Sequence, residues 1–412
     1  MPSWLNKRFV NMRGNSLKID SKIENLKYES TLCQQLKTFS IGDFPSGVAF
    51  SKAAFLLSYK NNTFAISHWV SPKRTRSYPY ARVYDTMNTR TRITIIPFLK
   101  DEGKDGDRDF IQWDTVSLMS LLGVYVILGY YNTAKKNSTY SNKITDQEFD
   151  YDYLKSRLDE LSQYKLDALH WNLNELNKNL LSVAELSKLH YQNISKNTGV
   201  EMHGEKGVSD RVKVIRESVA KFQSNSRDLA VSAQNREYQT TQPKESVIED
   251  KATITIKNYL GGFYYFTIDE VLLYGKELFL MEKKHSSGGI VPSIADIKDG
   301  LVKMMLYTNF SEVLVSGEPY SHHPTLGLTS ENIQGYCHNL STESELNSFF
   351  SKNAFSKKAI KSFMDLITEA TKNNFLVFLM DSRTPKLQKE IVIEYLKRKK
   401  MNRQLMTIKK FS

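Results

Sequence analysis

Asp269, Glu282 and Lys284 are the residues of this chain whose types and spacing best suit shared chemistry. They lie in FYYFTIDEVLLYGKELFLMEKK (263 to 284), where two apolar, aromatic-rich runs flank Tyr274-Gly275-Lys276-Glu277. Gly at the first central position suits a two-residue type II′ turn, so the segment reads as a β-hairpin. Counting outward from a Tyr274–Glu277 pair sets Asp269 opposite Glu282. Opposed residues share a face, and alternation along the strand adds Lys284 to that face while turning Lys283 away. Two carboxylates about 5 Å apart at Cβ repel each other unless a cation lies between them, and Mg²⁺ takes oxygen ligands of this kind. An ammonium beside such a metal can orient a water or help to deprotonate it.

The D-x(12)-E-x-K spacing on a hairpin resembles the PD-(D/E)xK nuclease core, although Ile268 rather than Pro precedes Asp269. The flanking order matches as well. ATITIKNYL (252 to 260) reads as a preceding strand, SIADIKDGLVKMMLYT (293 to 308) as the following helix and SEVLVSG (311 to 317) as the next strand. That αβββαβ succession, spanning about 240 to 320, is most similar to a type II restriction endonuclease. The resemblance implies an α/β fold with a mixed central sheet flanked by helices. It also implies Mg²⁺-dependent hydrolysis of phosphodiester bonds in double-stranded DNA. Asp269 and Glu282 would hold the metal and Lys284 would position the attacking water. Relatives often add a glutamate from a helix ahead of the first strand, for which Glu245 and Glu249 are the nearby choices besides Asp250. Cutting both strands needs two such sites, so a homodimer is expected. The competing readings are a non-catalytic DNA-binding or regulatory protein on the same fold and, among enzymes, a junction, repair or modification-dependent defence nuclease.

Composition agrees with a polyanionic partner. The 412 residues carry 57 Lys and Arg against 45 Asp and Glu, a net charge of +12. Two cysteines, Cys33 and Cys337, give neither a disulfide framework nor a cysteine zinc site, which fits a reducing cytoplasm. MPSWLNKRFVNMRGNS lacks an apolar signal core, and no run approaches the roughly 18 apolar residues of a membrane span. The expectation is a cytoplasmic protein with no membrane contact. Neither a Walker A sequence nor a dinucleotide fingerprint is present, so no ATP is expected.

Three regions are expected to hold these residues: an α/β DNA-recognition or clamp region at 1–145, a helical connecting region at 146–239, and the nuclease core with C-terminal helices at 240–412. Residues 64–70, 81–87, 93–99 and 124–131 read as strands and 114–122 as a helix. From Phe149 to His190, Leu154, Leu158, Leu161, Leu169, Leu173, Leu176, Leu180 and Val183 recur at helical steps. That stripe fits packing within its own domain or a dimer-forming coil. Residues 191–210 read as a loop and 211–236 as a further helix. EPYSHHPTLGL (318 to 328) reads as a loop or domain edge, NNFLVFLM (373 to 380) as a buried strand, and Pro385 as the first residue of a basic C-terminal helix.

Other constellations have competing accounts. SPKRTRSYPYARVY (71 to 84) interleaves Lys73, Arg74, Arg76 and Arg82 with tyrosines, which suits either DNA contact or a solvated loop. The acids of KDEGKDGDRDFIQWDT (100 to 115) miss the EF-hand spacing. They suit a turn whose carboxylates cap the next helix, or a second site combining Asp107, Asp109 or Asp114 with Lys135. His285, His322 and His323 are better read as polar side chains than as zinc ligands.

Overall fold

The computed structural model describes residues 17–44, 46–73, 75–204, 206–217, 252–257 and 263–411. These form mixed sheets flanked by helices, divided into two compact units. Residues 17–32 fold with the segments after 237, while 33–217 form the other unit together with 262–265. The described part of the expected helical connector therefore belongs with the α/β region before it.

In the 33–217 unit the five-stranded sheet runs in the order Thr38–Ser40, Ala54–Tyr59, Asn62–His68, Thr91–Pro97, Tyr125–Gly129. Only the Ala54–Tyr59 and Asn62–His68 neighbours are antiparallel. The 81–87 segment, expected as a strand, is instead part of a helix, Pro79–Tyr84. Pro79 at the first helical position presets the backbone, and a short apolar run does not distinguish the two periods. The 124–131 strand ends at Gly129, and a second strand, Tyr131–Lys136, pairs with Ile144–Phe149. The expected helix over 114–122 is present as Trp113–Leu121.

The leucine stripe lies on helices Tyr151–Ser162, Ala168–Asn174 and Leu180–Thr198, the last two joined by a π-helical turn at Glu175–Asn179. Leu154, Leu158, Leu161, Leu169, Leu176, Leu180 and Val183 are buried, so the stripe packs into its own unit and leaves no seam for a dimer coil. The loop expected from 191 begins only after Thr198, where Gly199 takes a left-handed φ of 65°. The same helices close the outer edge of the sheet with side chains. Asn172 accepts from Val126 N–H at 2.7 Å and donates to Val124 O at 3.0 Å. Glu175 accepts from Leu128 N–H at 3.0 Å, and the Trp171 indole donates to Val126 O at 2.7 Å. Glu175 is buried, with Arg157 and Asn179 holding its charge.

The other unit holds two five-stranded sheets. In the first, Leu17–Lys22 pairs parallel with Ala252–Lys257 and antiparallel with Glu312–Val315. Phe263–Ile268 lies beside Ala252–Lys257, and after a bend at Asp269 the chain enters the second sheet as Glu270–Tyr274. There it turns back antiparallel into Glu277–Ser286, which runs parallel to Ser321–Ser330, itself parallel to Leu376–Asp381. Tyr336–His338 closes the far edge antiparallel.

Two expectations change here. The 311–317 strand exists as Glu312–Val315 but belongs to the first sheet. The parallel neighbour of the E-x-K strand is Ser321–Ser330, in a segment that read as a loop. Pro324 is tolerated there because Leu376–Asp381 begins to pair only at Thr325, so the missing N–H falls where one neighbour strand is absent. The expected 373–380 strand is Leu376–Asp381, whose six residues are all buried. A strand covered on both faces needs such a continuous apolar run.

Phe279, Met281, Leu376, Phe378 and Met380 pack against Ile391, Val392, Tyr395 and Leu396 of the C-terminal helix, which starts at Leu387 rather than Pro385. Gly327 accommodates the Phe378 ring, since a Cβ there would lie 2.7 Å from it. The buried Glu369 carboxylate accepts from Tyr28 Oη at 2.7 Å and Thr31 N–H at 2.8 Å, which ties residues 28–32 to the Lys357–Lys372 helix. No described helix is long and apolar enough to cross a membrane.

Candidate functional site

The hairpin has the register that its turn dictates. Tyr274 pairs with Glu277 and Glu270 with Met281, while Gly275 takes a φ of 65°, as the first central position of the turn requires. Extending that register brings Asp269 across from Glu282. Instead of continuing the ladder, Asp269 accepts the backbone N–H of Lys283 on its carboxylate at 3.0 Å, and it also hydrogen-bonds the Glu282 carboxyl.

The two acids sit in different surroundings. The Glu282 side chain is 2% exposed and that of Asp269 38%, so one lies at the floor of the site and the other at its mouth. Burial pushes Glu282 up to about 7 and the Asp269 charge adds to the rise, against the pull of Lys303 and Lys284. Burial would also raise Asp269, but the Lys303 ammonium, the Lys283 N–H and the Glu282 hydrogen bond together hold it below the usual carboxylate range.

Lys284 reaches Glu282 Oε1 at 2.9 Å and Asp299 Oδ2 at 2.6 Å. Burial alone would lower its pKa; Glu282 and Asp299 raise it instead, so Lys284 is firmly an ammonium. Lys283 turns to the other face as alternation requires, and pairs with the buried Glu270 at 2.6 Å. Gln388 holds the second Glu270 oxygen, also at 2.6 Å.

Asp299 and Lys303 complete the cluster, and the hairpin motif gave no sign of them. Both lie on helix Ile294–Tyr307, which starts at Ser293, whose hydroxyl accepts from Asp296 N–H. They are four residues apart and so share a face. Lys303 Nζ contacts Glu282 Oε2 and lies 3.8 Å from Asp269 Oδ1. Gly300 lets that face approach, since a Cβ there would lie 3.4 Å from Lys284 Cε and 3.5 Å from Glu282 Cγ. A glycine between an acid and a base one turn apart was the available sequence signal.

The other candidates are placed differently. Glu245, Glu249 and Arg74 lie outside the described residues. Lys73 is exposed. Arg76 is clasped by Glu102, Asp107 and Asp109, at 2.9 Å from Glu102 and 3.0 Å from Asp109. Arg82 donates to the backbone oxygens of His68 at 2.9 Å and Ser77 at 3.0 Å. These two arginines are engaged within the fold rather than offered to a ligand. The acids of 100–115 serve that clasp and do not cap the next helix, which begins after Gln112 without a side-chain cap. Lys135 pairs with Asp146 at 3.3 Å, away from the proposed second site. His323 binds Glu277 at 2.8 Å, His322 the backbone oxygen of Tyr307 at 2.9 Å, and His285 the Thr329 hydroxyl at 3.0 Å, so the three do not converge on a metal.

Comparison with protein-family models, with curated proteins and with solved structures finds no match. The chemistry of the site must be argued from its own atoms. Among the described residues no group of three or more His, Cys, Asp or Glu side chains assembles around one point, which leaves the pair Asp269 and Glu282 as the oxygen donors. Mg²⁺ commonly takes only one or two carboxylates and completes its shell with water and substrate phosphate, so the pair fits it. The raised Glu282 points the same way, because crowded negative charge is what a divalent cation relieves.

Proposed function

We propose that this chain is a Mg²⁺-dependent endonuclease of the PD-(D/E)xK kind, acting on double-stranded DNA as a homodimeric type II restriction enzyme. The observation that carries the reading is the convergence of Asp269, Glu282 and Lys284 on one face of a hairpin whose second strand leads, through helix Ile294–Tyr307, into a parallel neighbour. The order of elements around the hairpin and the net charge of +12 support it as well.

In this reading Asp269 and Glu282 hold the cation. When bound, the cation supplies charge stabilisation at the scissile phosphate and a water of lowered pKa. Lys284, fixed by Asp299, orients the attacking water through its ammonium. The water oxygen bonds to phosphorus, one ester P–O bond breaks, and the leaving oxygen takes up a proton.

Incubation of the purified protein with phage DNA tests this. Discrete fragments with Mg²⁺, and none with EDTA or with Ca²⁺ alone, are expected. A smear would replace the restriction role with a nonspecific or repair nuclease. Intact DNA under every condition would remove the enzyme reading and leave a DNA-binding protein.

A further inference from the structure

Both oxygens of Glu282 are already held by ammonium groups, Lys284 on Oε1 and Lys303 on Oε2. Only Lys303 also faces Asp269, at 3.8 Å. The cluster of Asp269, Glu282 and Asp299 with Lys284 and Lys303 carries three carboxylates against two ammonium groups. A divalent cation taken up by Asp269 and Glu282 therefore enters a site whose charge is already largely balanced. One lysine must withdraw for it, because a +1 and a +2 charge cannot share the same two oxygens without strong repulsion.

The two lysines are not equally free to withdraw. Lys284 has a second short partner in Asp299 at 2.6 Å and springs from a strand bonded on both sides. Lys303 has a longer second contact and reaches the site from a helix along a flexible four-carbon stem.

Resting on the nuclease reading, we infer that Lys303 is a built-in competitor for the metal position, a positioning residue that sets the affinity of the site for divalent cations. Lys284 keeps its place beside Glu282 and Asp299 when metal enters, whereas Lys303 gives way. The protein thus lowers its own metal affinity by presenting a tethered ammonium to the same carboxylate pair. Neither the hairpin motif nor its expected chemistry assigns this role to a helix residue.

The test is Mn²⁺ binding by calorimetry to the full chain without DNA, for the parent and for Lys303→Met, Lys303→Gln and Lys303→Arg. Removing the charge should tighten Mn²⁺ binding by on the order of tenfold or more. The arginine variant, which keeps the charge, should stay near the parent. If Lys303→Met does not fold, Lys303→Gln keeps a hydrogen-bond donor and answers the same question. Parental affinity, or weaker binding, in the neutral variants overturns the inference while leaving the nuclease reading intact. Absence of Mn²⁺ uptake by parent and variants alike overturns both.

Discussion

Lys283 and Lys284 are neighbours in sequence that serve opposite faces of one strand, and the difference is measurable. Lys284→Met should lower cleavage by about a hundredfold or more, since it removes a group held against the reacting centre. Lys283→Met should keep most of the cleavage, because its contribution to Asp269 is a backbone N–H that the substitution retains. It should nevertheless cost roughly 2–4 kcal/mol in urea unfolding by leaving the buried Glu270 with only Gln388. Equal loss of cleavage in both variants would show that the two faces are not separate. His68 gives a second residue-scale expectation. Burial, helped by the Arg82 guanidinium, pushes its imidazole down to about 3. The unfolded chain then takes up the proton first as pH falls, so stability is full above about 6.5 and declines below it, by up to about 1.4 kcal/mol per pH unit. Urea unfolding at pH 7, 6 and 5 should show a shallower decline for His68→Gln than for the parent; identical slopes would place the titration elsewhere. At this scale the sequence disclosed Asp269, Glu282 and Lys284 because strand alternation is a strict rule over a short hairpin. Asp299, Lys303 and the carboxylates around Arg76 depend on packing between elements far apart in the chain, which no local period encodes.

Elements were legible where local chemistry was decisive. The hairpin turn, the Ser293-capped helix and the buried Leu376–Asp381 strand each carry a period or a turn residue that fixes them. The Pro79–Tyr84 helix and the Ser321–Ser330 strand were hidden by proline, which marks loops in sequence but suits both a helix start and the sparsely paired end of a strand. Gly300 shows how an element can be right and its purpose unread. Alanine there would gain about 1 kcal/mol in helix propensity. Its Cβ would lie 2.7 Å from Leu326 Cδ1, within a buried contact where overpacking costs about 1–3 kcal/mol. Gly300→Ala should therefore be less stable by about 1 kcal/mol and cleave several-fold more slowly, since the helix must move away from Glu282 and Lys284. A more stable variant with unchanged cleavage would mean that the close approach is incidental.

At the scale of the molecule, the composition pointed to a polyanionic partner but not to the way the chain is divided. The expected boundaries at 145 and 239 followed the changes of pattern along the sequence, whereas the units follow pairing: Leu17–Lys22 lies beside Ala252–Lys257, with the whole of the other unit between them in sequence. Closing so long a loop adds little to the equilibrium cost, because that cost grows only with the logarithm of length. Its consequence falls on time. At the roughly 5–20 residues per second of synthesis, on the order of 10–50 s pass between the appearance of the first strand and that of its parallel neighbour. Throughout that interval Leu17–Lys22 has no partner strand, and its other neighbour, Glu312–Val315, emerges later still. Residues 33–217 can settle meanwhile, since their sheet draws all its strands from within that span. The carboxylate pair and its lysines come together only near the end of translation, so a nascent chain cut short before Lys303 would carry a finished first-made unit and no assembled site.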